Sequence, residues 1–175
     1  MAASDIQLLS LWANFTLDHT CQVEEKIRVE LQTSATTRSL ESLRMLRLQR
    51  AILAIGMFSL FESLLQESMD WKRPFEDLQV FLLGQKEDVL ARDIENYFLA
   101  INVLKHGEGR SYKTLLERKG ELAFTVKGSD QSFFDEGDVS EVSVLVDAND
   151  AFVKRCAEVI QKAAEILRKK MGIWI

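Results

Sequence analysis

Apolar residues recur every three or four positions along most of the chain, and this period is typical of amphipathic helices. The first such run begins after Ser4 or Asp5, either of which can cap a helix, and ends near Thr33. Its apolar positions are Leu8, Leu11, Trp12, Phe15, Val23 and Ile27. We expect these side chains to form the buried face of a long first helix, with His19 on the same stripe at the edge of the core.

A second long helix is predicted after a short polar loop, and its two halves differ in character. The first half carries Arg44, Arg47 and Arg50 at a spacing of three, which predicts a solvated basic ridge, with contact to phosphates as the alternative. Residues 51–61 hold a single hydroxyl and are otherwise apolar or glycine. A helix that is apolar on every side needs burial on every side, in a bundle centre or against a second copy of the chain. Gly56 inside this run predicts that another backbone comes close.

Proline and glycine separate the next three predicted helices. Pro74 disfavours continuation of the second helix and suits the first turn of a short third one, which Gly84 closes. A fourth helix is predicted to start within residues 85–88 and to end at His106, because Gly107 and the glycine two positions later let the backbone turn. A fifth helix of at most two turns follows.

The pattern changes beyond the fifth helix. Residues 122–126 and 139–146 are short, rich in β-branched side chains and bounded by turn residues, so they predict a short β-hairpin or two extended arms. The acidic connection between them does not have the spacing of an EF-hand, and an exposed loop is expected there rather than a calcium site. A last helix, capped by Asp147 or Asn149, then closes the bundle.

These elements predict one domain over residues 1–175, of mainly α class. We expect an up-and-down bundle of four to five helices with a small β insertion at 121–147. The chain ends in three large apolar side chains, Ile173, Trp174 and Ile175. Such a tail is expected to dock on its own core or on a partner.

Composition excludes several classes of function. The net charge of −5 disfavours sequence-independent binding of nucleic acid through a global basic field. Cys21 and Cys156 lie far apart without clustered histidines, so neither a metal site nor a disulfide framework is expected, and both thiols are predicted to be reduced and buried. No cofactor motif is present. The N-terminus has no signal-peptide pattern and residues 51–61 are too short to cross a bilayer, which predicts a cytoplasmic protein without membrane contact.

The candidate chemistry gathers at the end of the fourth helix. Glu95, Asn102 and His106 share one polar stripe beside an apolar face. Lys105 stands next to the histidine, and Arg110 and Tyr112 follow the glycine turn; we expect these as ligand-binding side chains together with Glu95. The simpler interpretation is that Asn102 and His106 only satisfy the polar groups of a helix end.

The segment from Asn102 to Gly107 resembles the motif of the HEPN group, small helical-bundle proteins of prokaryotic defence and toxin–antitoxin systems. The resemblance implies a homodimer that brings two motifs together, and a metal-independent ribonuclease site with His106 and Asn102 as its catalytic residues. Ile101 stands where the family has arginine. A guanidinium would stabilise charge on the scissile phosphate, so we expect binding of RNA or a nucleotide with little or no cleavage.

The second hypothesis is a non-enzymatic interaction protein, structural or regulatory, that acts as a homodimer and offers its apolar second helix and C-terminal tail to a protein partner. The chain has no GxSxG and no HExxH pattern, so a conventional hydrolase has little to draw on. A basic cleft around His106 would favour the first hypothesis, whereas a broad exposed apolar surface would favour the second.

Overall fold

The computed structural model describes residues 5–34, 36–128, 130–131, 133 and 144–172. These residues form six α-helices and one 3₁₀ turn. The helices are α1 (Asp5–Thr33), α2 (Thr37–Met69), α3 (Pro74–Gly84), α4 (Asp88–His106), α5 (Arg110–Glu117) and α6 (Asp150–Met171), and the turn is Lys119–Glu121. The predicted mainly α helical bundle is confirmed.

Four long helices make up the bundle. α1 packs against α2 and α6, α2 also contacts α4 and α6, and α4 contacts α6. The two short helices sit on α4, because α3 and α5 both pack mainly against it. α4 is therefore the most enclosed helix, and its buried positions recur at helical spacing along its length.

Side-chain caps fix the starts of α2 and α6. Thr36 Oγ1 accepts a hydrogen bond from the Ser39 backbone N–H at 3.2 Å. Asn149 Oδ1 accepts from the Phe152 backbone N–H at 3.0 Å, as one of the two predicted caps does. Each cap satisfies a backbone donor that the first helical turn leaves without an intrahelical partner.

Aromatic side chains fill the centre of the bundle. Phe75 of α3 packs between Phe58 of α2 and Phe98 of α4, with ring centroids 5.5 Å and 4.6 Å apart. Tyr97 of α4 meets Phe152 of α6 at 5.2 Å. These contacts join four helices, and Phe58 is only 1% exposed. The core thus depends on shape-matched aromatic packing.

The buried face of α1 is not the one that periodicity predicted. The side chains that pack into the core are Ile6, Leu9, Ala13 and Leu17. Four large apolar side chains lie outside instead, Leu8 at 52%, Leu11 at 62%, Trp12 at 50% and Phe15 at 73% exposure. These four residues are called the outer apolar face of α1. His19 is exposed as well, whereas Ile27 is buried as expected.

One prediction for α2 is wrong: Arg50 does not lie on a solvated ridge, since it is 5% exposed. Within one copy of the chain the helix is not buried on every side, because Ile52 is 60% and Leu60 is 53% exposed. A Cβ atom added at Gly56 would meet none of the described atoms within 4 Å, so no backbone of the same copy comes close there. Burial of this outer side against a second copy stays a prediction.

α2 is also the one helix among the described residues that is long and apolar enough to cross a membrane. Its most apolar 18-residue window is 44% buried inside the protein. A core helix of a soluble protein meets the same criteria, so this observation is weak evidence for a membrane span.

The segment before α6 contains extended arms. Val126 and Val146 form an antiparallel bridge, and the Lys127 backbone N–H donates to the Leu145 carbonyl at 3.0 Å. Within the described part of the chain the pairing goes no further than this bridge, so the arms are seen and a hairpin of two strands is not. Most of the predicted acidic loop at 128–138 lies outside the described residues, and so does the predicted docking of the tail at 173–175.

Candidate functional site

The end of α4 presents three of the predicted site residues. Lys105 and His106 occupy its last turn and are exposed, and Asn102 one turn earlier is half-buried. Ile101 is 2% exposed, so the position where the HEPN motif has arginine belongs to the core. Gly107 follows with a φ of 71°, a backbone geometry that favours glycine, and it turns the chain toward α5.

Glu95 is the first residue of the polar stripe on α4, and its side chain contacts residues that were not among the predicted site residues. Its carboxylate forms an ion pair with Arg118, with an Nη1 to Oε2 distance of 3.0 Å, and accepts a hydrogen bond from Gln79 Nε2 at 3.1 Å. Arg118 lies just beyond α5 and Gln79 on α3. Glu95 therefore links the two short helices to α4, a role that is structural.

Arg110 and Tyr112 have different environments although they are two residues apart. Arg110 is the first residue of α5 and is exposed. Tyr112 is 5% exposed, and its hydroxyl donates to the Lys127 carbonyl at 2.8 Å, which ties α5 to the first extended arm. The tyrosine thus packs in the interior, while the arginine shares an exposed turn with Lys105 and His106.

A separate cavity of about 390 Å³ lies where α1, α2 and the start of α6 meet. We call it the inter-helix cavity. Its charged lining comes from Glu24, Arg28, Arg47, Arg50, Asp147 and Asp150. The rest of the lining is Asn149 and apolar side chains, among them Leu48, Ala51 and Ala151. A cavity of this size with a few converging polar groups is the usual form of a ligand site.

Arg50 is the centre of the polar network in this cavity. Its Nη2 donates to Glu24 Oε2 at 2.5 Å, and its Nε donates to the carboxylate of Asp150. Glu24 also accepts from Arg28 Nη2 at 2.6 Å, and Cys21 Sγ donates to Asp150 Oδ2 at 2.8 Å. One buried guanidinium thereby connects three helices, because each end of it meets a carboxylate from another helix.

The network shifts the ionisation of its members. Burial raises the pKa of Glu24, but the hydrogen bonds from Arg28 and Arg50 outweigh it and hold that pKa below its ordinary value. Burial lowers the pKa of Arg50, and its bonds to Glu24 and Asp150 reverse the effect and raise it. The hydrogen bond to Asp150, with a smaller contribution from burial, raises the pKa of the Cys21 thiol.

These shifts do not favour acid–base exchange by Arg50 and Glu24 or nucleophilic attack by Cys21. Arg50 and Glu24 are locked in their charged forms, so neither can exchange a proton near neutral pH. A nucleophilic cysteine needs a lowered pKa, and that of Cys21 is raised. Among the residues that the structure describes, no group of three or more His, Cys, Asp or Glu side chains could hold a metal ion.

Comparison of the chain with models of protein families, with curated proteins and with solved structures found no match. The HEPN-like resemblance therefore stays a prediction from one short motif.

Sequence reasoning did not find the inter-helix cavity, because its lining residues come from three distant segments of the chain. One signal was available. Arg50 stands at helical spacing from Leu46, Leu53 and Met57, all of which are buried, so it interrupts an apolar stripe. An arginine in such a position needs carboxylate partners inside the fold.

Proposed function

We propose that this protein is a non-enzymatic interaction module that acts as a homodimer through the outer apolar face of α1. The observation that supports this proposal most is the exposure of Leu8, Leu11, Trp12 and Phe15 on one stripe. Single exposed apolar residues are common on protein surfaces, but four large ones at helical spacing are typical of an interaction site.

A second copy of the chain is the occupant that this face fits best. In an antiparallel pair of α1 helices centred between Leu11 and Trp12, those two residues face each other across the axis, and Leu8 faces Phe15 of the partner subunit. The face is thus complementary to itself, as a two-fold interface requires. Both subunits would bury their outer apolar faces in the same interface.

The apolar area supports a dimer of ordinary size. From the exposed fractions and typical side-chain areas, the face presents roughly 400 Å² of apolar surface. A stable interface buries about 800 Å² on each partner, and its centre is more apolar than its rim. Exposed polar residues beside the face, such as Asp18 and His19, would supply part of the rim.

The experiment is sedimentation velocity on Phe15→Glu, with Val89→Glu as the matched control. Phe15 and Val89 are both 73% exposed, but Val89 lies on α4 away from the proposed interface. We expect wild type and Val89→Glu to sediment as dimers and Phe15→Glu as a monomer with an unchanged circular dichroism spectrum. Equal behaviour of the two variants would overturn the proposed interface.

The second candidate function is binding of RNA or a nucleotide at the end of α4, as in a HEPN-like protein of a defence or toxin–antitoxin system. The exposure of Lys105, His106 and Arg110 around one turn favours it. With Ile101 in the core and no arginine in the motif, we propose binding with little or no cleavage.

Titration of labelled single-stranded RNA at moderate salt tests this candidate. We expect His106→Ala to weaken binding, while Lys72→Ala, which removes an exposed cation on another loop, leaves it unchanged. Absence of binding by the wild type would remove the candidate. Cleavage that depends on His106 would show that a cation elsewhere in the protein replaces the arginine that Ile101 lacks.

A further inference from the structure

The outer side of α2 has a notch at Gly56 that none of the described residues fills. A Cβ atom added there would meet none of their atoms within 4 Å. Ile52, one turn before the notch, is 60% exposed, and Leu60, one turn after it, is 53% exposed. We propose that α2 of a second copy of the chain crosses α2 at this notch. The contact is separate from the outer apolar face of α1 and does not depend on the dimer proposed there.

Within the described residues, neither usual reason for a glycine inside a helix applies at position 56. A side chain at this position would not clash, because the space beside it is open. The position lies in the middle of α2, where the backbone is that of a helix and does not require glycine. Glycine nevertheless makes a helix less stable than alanine does. Close approach of a backbone from another chain accounts for the residue, since such an approach needs a surface without a Cβ atom.

The spacing of the exposed side chains suits a crossing of two helices at this point. Leu48, Ile52, Gly56 and Leu60 follow one another every four residues, so they form one ridge along the helix surface. Ridges of this kind interdigitate when two helices cross at about 50°. Gly56 is a gap in the ridge, so two identical ridges can cross there. The surface is thus complementary to itself, as a two-fold interface requires.

The absence of exposed charge around the notch favours a second copy as the occupant. Within residues 45–66, all of which the structure describes, eight residues are exposed and none of them is charged, while Arg47 and Glu62 are half-buried. The eight are Met45, Leu48, Gln49, Ile52, Ser59, Leu60, Ser63 and Gln66. By contrast, the exposed residues of α6 between 154 and 170 are all lysine or glutamate. Residues near a two-fold axis face their own copies, so an uncharged surface avoids repulsion between like charges.

This contact is smaller than the proposed α1 interface. Two large apolar side chains flank the notch directly, whereas four make up the outer apolar face of α1. Interfaces that bury less than about 1,200 Å² in total belong to weak or transient complexes. We therefore expect association through α2 only at protein concentrations on the order of 0.1–1 mM, where it would join α1 dimers to one another.

Sedimentation equilibrium of Phe15→Glu tests the contact, because this substitution disrupts the proposed α1 interface and leaves α2 unchanged. The variant is measured from about 20 µM to about 1 mM. We expect it to change from monomer to dimer over this range. A monomer at every concentration would overturn the proposal. Failure of the α1 dimer would appear separately, as a monomeric wild type at micromolar concentration.

Two substitutions in the Phe15→Glu background locate the contact. Gly56→Leu fills the notch, and the open space lets the folded monomer accept the new side chain. Gln66→Leu is the matched control, because it adds the same side chain at an exposed position of α2 beyond the crossing.

We expect Gly56→Leu to weaken association roughly tenfold or more, as overpacking of a close contact predicts, and Gln66→Leu to leave it unchanged. Gly56→Leu should melt no lower than its background, because leucine favours a helix more than glycine does, so that lost association does not reflect unfolding. Equal association of the two variants would place the contact elsewhere and overturn the assignment to Gly56.

Discussion

The guanidinium of Arg50 lies 2.5 Å from the carboxylate of Glu24, and this buried pair joins the second helix of the bundle to the first. The same guanidinium binds Asp150 at the start of α6, which lies 100 positions later in the chain. One side chain thus sets the position of three helices. Its removal leaves Asp150 without its ion-pair partner and leaves Glu24 with Arg28 alone.

Arg50→Ala should therefore destabilise the fold by about 3 kcal/mol or more, since breaking a buried ion pair leaves uncompensated charge. Urea denaturation followed by circular dichroism measures the free energy of unfolding. Arg44→Ala is the control, because Arg44 is exposed on the same helix, and it should stay within about 0.5 kcal/mol of wild type. Similar losses in both variants would show that Arg50 has no special role.

The lowered pKa of Glu24 makes stability depend on pH. Its ordinary value is 4.5, and the folded protein holds it lower. The stabilisation from Glu24 is then fully present above the unfolded pKa and is lost as the pH falls through the folded pKa. We expect the free energy of unfolding to decrease between about pH 6 and about pH 3, and to decrease less in Glu24→Gln. Parallel curves for the two proteins would mean that Glu24 is not ionised preferentially in the fold.

The two cysteines should react differently with a thiol reagent. Cys21 is exposed on α1, contrary to the prediction that both are buried, and Cys156 is 0% exposed in the core. Titration of the native protein with Ellman's reagent should modify one thiol, slowly because the pKa of Cys21 is raised, and a second thiol only in denaturant. Rapid modification of both in the native protein would contradict the packing of α6.

An aspartate introduced on the inner side of α2 should destabilise the fold much more than one introduced on its outer side. Phe58→Asp places a carboxylate at a position that is 1% exposed and should cost about 4 kcal/mol or more. Ile52→Asp, on the same helix at 60% exposure, should change stability by less than about 1 kcal/mol. Thermal melts of wild type and the two variants measure this difference in stability. A comparable loss in Ile52→Asp would mean that the outer side of α2 is covered.

Sequence reasoning predicted the helix boundaries well because local chemistry fixes them. Asn149 caps α6, and α4 ends at His106 before glycine, both as expected. The choice of buried face could not be predicted for α1, since its first half carries two apolar stripes. Periodicity alone does not tell whether Leu9 or Leu8 meets the core, because that choice depends on which stripe fits closely against α2 and α6.

The two candidate sites also differ in how far the sequence could predict them. The α4 end was found from local spacing, although Glu95 and Tyr112 proved to hold the fold together. The inter-helix cavity was missed because Glu24, Arg50 and Asp150 meet only after three helices pack. Long-range pairing of charges leaves little local pattern in a sequence.

The most direct test of the proposed dimer is the distance between spin labels at position 22. Gln22→Cys in a Cys21→Ser background places a label on the exposed side of α1, and the serine keeps a hydroxyl donor toward Asp150. In the antiparallel pair each label lies about ten residues from the centre, so the two labels are about twenty residues apart along the helix axis. At a rise of 1.5 Å per residue, pulsed electron paramagnetic resonance should give one distance of roughly 30 Å. A much shorter distance would mean a parallel arrangement, and no dipolar signal at micromolar protein would contradict the homodimer itself.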